Sequence, residues 1–146
     1  MSIWLAKEFD CPVVGLDRTV AAIQFARYRA EKHGLAKMVT FEVASFDDIR
    51  SISGGFDMVI SVDALPFASD EYAVLSDVHR CLNDGGKFIF TTREPLPDSP
   101  KLKRLGTTWS KILTSTGFNQ SKLIERVGGQ SSGLLFITHG LLMNRI

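Results

Sequence analysis

Val13-Val14-Gly15-Leu16-Asp17, entered through Pro12 and left through Arg18-Thr19, decides how the rest of this chain reads. It is a short apolar run of the kind that a parallel strand, covered on both faces, requires. It stops at a carboxylate, and a helical pattern opens two residues later. Doubly wound folds hold a ribose in this way: the carboxylate accepts hydrogen bonds from two vicinal hydroxyls at the carboxyl edge of the sheet. On these residues alone, an aspartate that merely opens a turn fits as well.

Working outward, the helix spans Thr19 to His33, with Thr19 as N-cap and Val20, Ile23, Ala26 and Ala30 on one face. Gly34 follows where a left-handed helix terminus is expected. Before the strand, Ile3 to Phe9 reads as a short helix. After it, Met38 to Ala44 alternates and is β-branched, which predicts a strand. Phe46 to Ile52 reads as a short helix and Asp57 to Val62 as a strand. Asp70 to Leu82 reads as a helix, with Ala73, Val74, Asp77, Val78 and Leu82 at its spacing. Asn83-Asp84-Gly85-Gly86 is a turn signal, and Lys87 to Thr92 a strand. The proline-bearing stretch from Arg93 to Thr108 reads as an irregular loop. Thr107 to Thr116 reads as a helix. Phe118 to Arg126 and Leu134 to Leu142 are strands joined by a short glycine-rich connection, an antiparallel pair at one edge. Alternating strands and helices over 146 residues predict one α/β domain, residues 1–146, with a mostly parallel sheet.

Composition removes several function classes. Lys plus Arg is 17 and Asp plus Glu is 16, a net charge of +1, so neither nucleic acid nor an anionic membrane surface is an expected partner. No apolar stretch reaches the roughly 20 residues of a membrane span, and no secretory leader is evident. Two cysteines without C-x-x-C spacing suit a reducing cytoplasm and argue against a disulfide scaffold. No histidine pair has metal-ligand spacing, so no metal is expected. Gly129-Gln130-Ser131-Ser132-Gly133 fits G-x-S-x-G, but a nucleophile elbow needs a strand before it and a helix after it, and here a strand follows. Asn119-Gln120-Ser121 is a glycosylation pattern with no secretory route to use it.

Read in order, LAKEFDCPVVGLDRT, MVTFEVASFDDI, FDMVISVDALPF, VHRCLNDGGKFIFTT and LTSTGFNQSKLIE resemble the class I S-adenosylmethionine-dependent methyltransferases that act on small molecules. The resemblance runs from Leu5 to about Leu142. It implies a Rossmann-like, doubly wound, mostly parallel sheet with a C-terminal antiparallel hairpin, S-adenosyl-L-methionine as cofactor and a small-molecule methyl acceptor. Asp17 matches the family's ribose-binding acid, with Arg18 beside it. Ala44-Ser45-Phe46 matches a loop in which the family usually has Gly-Asp-Ala. Ser45 therefore stands where an aspartate binds the adenine amino group, with Asp47 or Asp48 as candidate substitutes for that acid, and Phe46 follows as the ring-facing position. Ser61 and Val62 match the segment at the methionine end. Asp63, just past that strand, is the candidate for acceptor contact or general base. His79 is a second candidate for that role, or a surface or helix-packing residue, and His33 and His139 read as helix-end and sheet residues; the Arg93–Thr108 loop helps to cover the substrate, as in the resembling family, or is a plain surface connection. Phe67 lines an apolar substrate pocket or packs in the core.

One departure stands out. No G-x-G-x-G occurs in these residues, and the family places that loop after its first strand, the central one of its sheet. The resemblance thus implies an N-terminally truncated domain without its usual first strand. Three accounts follow: a truncated product, direct pairing of the Val13 strand with the Met58 strand, or a homo-oligomer or partner chain that completes the sheet. A non-catalytic Rossmann-like assembly domain without cofactor affinity is the competing function. An NAD-dependent dehydrogenase shares the ribose acid but needs G-x-G-x-x-G about 20 residues before it.

Overall fold

A computed structural model of the chain describes residues 1–92, 108–126 and 133–140, with side chains described to residue 119. The chain forms two compact units, Met1–Asp48 and Ile49–Ile146.

The first unit comprises α1 (Ser2–Phe9), β1 (Val13–Asp17), α2 (Val20–Lys32) and β2 (Val39–Val43). β1 and β2 pair in parallel, Val13 opposite Val39 and Asp17 opposite Val43. α2 ends as its sequence predicts. Gly34 takes φ 70°, its N–H donates to Glu31 O and the Leu35 N–H to Ala30 O, both at 2.9 Å. That double bond is the Schellman closure, in which a glycine adopts the left-handed conformation without a Cβ clash. At the other end Thr19 occupies the N-cap but its side chain makes no cap bond. Ala6, Ile23, Ala30, Val39 and Phe41 form the core, with Ala26 packed against it. Val20 departs from the expected stripe and is exposed. Periodicity marks a face, whereas cover depends on what lies beneath, and each strand here has only five residues.

A 3-10 turn, Phe46–Ser51, links the units. The second comprises β3 (Phe56–Val62), a 3-10 turn at Leu65–Phe67, α3 (Glu71–Cys81), β4 (Leu82–Thr92), α4 (Trp109–Ser115), β5 (Phe118–Arg126) and β6 (Gly133–Gly140). Its sheet runs β3-β4-β6-β5. β3 and β4 are parallel, and β6 is antiparallel to both β4 and β5, the expected edge hairpin. The core is aromatic. Phe88 and Phe90 stack with centroids 4.8 Å apart, and Phe90 meets the Trp109 ring edge-on at 5.8 Å.

Two expectations change in this unit. The buried face of α3 is Glu71, Val74, Leu75, Val78 and Cys81, so Ala73 is off the stripe and Leu75 and Cys81 are on it. Asp70 caps this helix from outside, its carboxylate accepting the Ala73 N–H at 3.0 Å. The Asn83–Gly86 signal does not separate helix from strand but bulges out of β4. Phe56 pairs with Leu82 and Met58 with Lys87, so the extra residues loop out, tied by the Asn83 amide to Gly55 O and Asp57 Oδ1. Among the described residues β1 ladders only with β2, and β3 within its sheet only with β4. The Val13 N–H donates to Met38 O and the Ala44 N–H to Asp17 O, so in the parallel ladder the peptide groups of Val14 and Leu16 point to the open edge. The Asp63 N–H likewise donates to Thr91 O, leaving those of Ile60 and Val62 on the open edge of β3.

Cys81 is buried with Sγ 3.8 Å from the carbonyl oxygens of Ile49 and Ile52. Burial pushes its thiol above the ordinary value, and Asp77 adds to this against the opposing charge of Arg80. Folding therefore favours the neutral thiol. That contribution is whole below the ordinary thiol value and is lost as pH rises through the raised one. Cys11 is only half-buried. Iodoacetamide at mildly alkaline pH should alkylate Cys11 and spare Cys81 until denaturant is added; equal labelling of both in the folded chain would contradict this burial.

Candidate functional site

The carboxyl ends of β1 and β2 lie side by side and bring Asp17 near the loop that holds Ser45, with the Ala44 N–H on Asp17 O at 3.1 Å. The Asp17 side chain is exposed, and its Oδ1 accepts the Thr19 N–H at 2.7 Å. That bond fixes the carboxylate at the start of α2 and leaves Oδ2 open. A cavity of about 250 Å³ lies beside it, lined by Ser2, Gly15, Asp17, Phe25, Arg29 and Phe41 among others. Gly15 brings the strand backbone close: a Cβ there would sit 2.8 Å from the Phe41 ring. Arg18 is exposed.

Ser45 is engaged locally. Its N–H and hydroxyl both donate to Asp48 Oδ2, at 2.8 and 2.9 Å, and its oxygen accepts the Asp47 N–H at 3.2 Å. This is a capping box written S-x-x-D, in which the serine caps the 3-10 turn and the acid reaches back to the cap's own N–H. The hydroxyl proton that a ligand acceptor would use is therefore taken. Asp48, a candidate substitute for the missing adenine-binding acid, is held by the same contacts. Phe46 opens the turn, partly buried.

In the second unit, β3 carries Ser61 and Val62 toward its carboxyl end. Val62 is about half exposed, whereas Ser61 Oγ is buried without a hydrogen-bond partner. Asp63 follows with φ 50°, a left-handed conformation that aspartate tolerates better than most residues. Its N–H donates to Thr91 O at 3.2 Å and to Thr91 Oγ1 at 2.9 Å, and the Thr91 hydroxyl donates back to Asp63 Oδ1 at 2.9 Å. Thr91 was readable in sequence only as a strand residue. Nothing in its spacing links it to a position 28 residues earlier.

His79 packs edge-on against Phe118, centroids 5.1 Å apart, and its Nε2 is buried without a partner. That agrees with a packing role. His33 forms the C-cap of α2. Phe67 is 77% exposed, which removes the core reading. The Arg93–Thr108 connection, Gly129 to Ser132 of the G-x-S-x-G match and the His139 side chain lie outside the described residues, save Thr108, the N-cap of α4. No group of His, Cys, Asp or Glu among the described residues could hold a metal ion. No described helix is long and apolar enough to cross a membrane.

Comparison with known proteins bears on these features. The chain is 30% identical over 98 residues to a sarcosine/dimethylglycine N-methyltransferase of Halorhodospira halochloris, covering 67% of this chain and 35% of that protein. It is 34% identical over 129 residues to phosphoethanolamine N-methyltransferase 3 of Arabidopsis thaliana, covering 80% and 26%. It thus spans well under half the length of either relative. The crystal structure of the N-methyltransferase NodS of Bradyrhizobium japonicum, in complex with S-adenosyl-L-homocysteine, shares the fold with a TM-score of 0.65 at 14% identity, over 88% of this chain and 66% of that one. The family model for a methyltransferase domain matches residues 1–128. Because that match runs through both units, the chain belongs to the methyltransferase domain family, with its class I Rossmann-like fold and its use of S-adenosylmethionine.

Proposed function

We propose that this chain carries part of an S-adenosylmethionine-dependent enzyme that methylates a small amine. The observation that supports this most is Asp17, held at the carboxyl edge of β1 by the Thr19 N–H, with its second oxygen open beside the cavity. The residues fit the ribose end of the cofactor. A carboxylate with free lone pairs lines a space that Phe25 and Phe41 border with apolar rings and Ser2 and Arg29 with polar groups. At about 250 Å³ the cavity falls below the ~300–1,000 Å³ of sites that enclose a whole ligand, so it takes a portion of the cofactor. Asp17 would hold the ribose hydroxyls, with Arg18, Ser45 and Phe46 flanking it. The resemblance assigns Ser61 and Val62 to the methionine end.

The bound cofactor supplies a methyl group already activated on a sulfonium. What remains for the chain is to orient the acceptor and to accept its proton, and Asp63 is the residue proposed for that contact. An amine acceptor is drawn from the relatives, whose names specify N-methylation of sarcosine, dimethylglycine or phosphoethanolamine.

Calorimetric titration with S-adenosylhomocysteine tests the reading. Wild-type chain should bind, and Asp17→Ala should bind at least about tenfold more weakly, since hydrogen bonds to a charged group contribute roughly 1.5–3 kcal/mol. A folded wild-type chain that does not bind would sink the reading.

A second reading draws on the open strand edges. Val14 and Leu16 on β1, and Met58 and Val62 on β3, are exposed apolar residues on strands laddered along one side. Such edges recruit another strand. A partner segment that completes the sheet, or a non-catalytic assembly role, would give a defined oligomer without cofactor affinity.

A further inference from the structure

The geometry points to Thr91 as the positioning residue for Asp63, setting its free carboxylate oxygen to receive the N–H of the amine acceptor. The inference rests on the methyl-transfer reading above and names a specificity element within it.

Three observations carry it. First, Asp63 sits at φ 50°, where glycine would be at ease and a side chain adds strain. The position nonetheless carries a carboxylate, directly after the carboxyl end of a strand in a parallel pair, which is where open α/β sheets take their ligands. Second, the Thr91 hydroxyl is not needed to close the backbone there. The Asp63 N–H already has the Thr91 carbonyl at 3.2 Å. The hydroxyl adds a reciprocal pair, accepting that N–H at 2.9 Å and donating its one proton to Oδ1 at 2.9 Å. Third, the carboxylate is thereby fixed at one oxygen while the residue stays exposed. The hydrogen bonds engage the N–H and Oδ1, so Oδ2 keeps both lone pairs available. An exposed aspartate without such a bond would spread over several rotamers, and an acceptor amine would have to order it on binding.

Thr91→Val keeps the shape and the carbonyl but removes the hydroxyl, and Thr91→Ser restores the hydroxyl without the methyl. Full chains labelled with 13C are titrated with sarcosine, a secondary amine that keeps one N–H when its lone pair is free, the Asp63 carboxyl carbon being followed by NMR and assigned through Asp63→Asn. S-adenosylhomocysteine affinity is measured in parallel by calorimetry. The wild-type and Thr91→Ser chains should show a saturable Asp63 shift at similar concentrations, and Thr91→Val should need about tenfold more, the effect of one charge-assisted hydrogen bond. S-adenosylhomocysteine affinity should be the same in all three. Equal titration of Thr91→Val and wild type, failure of Thr91→Ser to restore the shift, or no Asp63 response in wild type would each overturn the inference. If wild type still binds S-adenosylhomocysteine in those cases, the methyltransferase reading stands without it. A folded wild-type chain that fails to bind S-adenosylhomocysteine overturns that reading instead, whatever Asp63 does.

Discussion

Phe90→Ala should remove about 3–5 kcal/mol of stability, the range for deleting a fully buried phenylalanine. Phe90 has no exposed surface, stacks on Phe88 and abuts the edge of Trp109, which is itself fully buried. Its position on β4, between β3 and β6, leaves its neighbours held by ladders on both sides, so they cannot collapse into the space. Part of the loss is transfer energy and part is the cavity left behind. Against a typical total of roughly 5–15 kcal/mol, the change is about a fifth or more of what a domain has. Urea denaturation checks it through the shift in midpoint at unchanged slope. A loss under about 1 kcal/mol would mean that the aromatic cluster can repack and does not act as the core of this unit.

Gly15→Val should disrupt the first unit by overpacking. The constraint at Gly15 is space rather than a special dihedral. A Cβ would lie 2.8 Å from two carbons of the Phe41 ring and 2.9 Å from Ser2 Oγ, inside any normal contact distance. Ser2 can turn away. Phe41 cannot, because it is buried with Ala6, Ile23, Ala30 and Val39. Forcing carbon into such a site costs about 1–3 kcal/mol, occasionally more. A β-branched side chain, adding three carbons at once, belongs at the upper end. Hydrogen exchange across the β1–β2 ladder reads the effect: amide protection should fall there in Gly15→Val and less in Gly15→Ala. Because Gly15 and Asp17 line the same cavity, S-adenosylhomocysteine binding should weaken with it. Unchanged protection in the valine variant would show that Phe41 has another place to go.

What was legible in the sequence was legible for local reasons. The Val13–Asp17 strand, the glycine that ends α2 and the closing antiparallel pair each depend on a few neighbouring residues, and each formed. The reading of α3 slipped because Ala73 and Leu75 both fit a helical stripe. Choosing between them requires knowing which face β4 and the aromatic cluster approach. The Asn83–Gly86 signal identified a change of direction correctly but not that the ladder resumes on both sides of it. Ser45 matched a family position, yet its hydroxyl belongs to a capping box with Asp48, and that competition for one proton appears only when both side chains are placed.

Taken alone, the amino-acid sequence determined the class of fold, the polarity of each element and the aspartate at the edge of β1. Hydrophobic period, turn residues and helix caps act over a handful of positions, and the order of motifs is itself a property of the chain. Only the tertiary structure decided that among the described residues β1 and β3 each keep one edge without a ladder, that Asp17 has one oxygen bound and one open, and that Asp63 is held by Thr91. Those depend on ladders and hydrogen bonds between residues far apart in the chain, such as Asp63 and Thr91, 28 residues apart. No local pattern encodes such a meeting, because the hydrogen bond exists only after β3 and β4 have found their register.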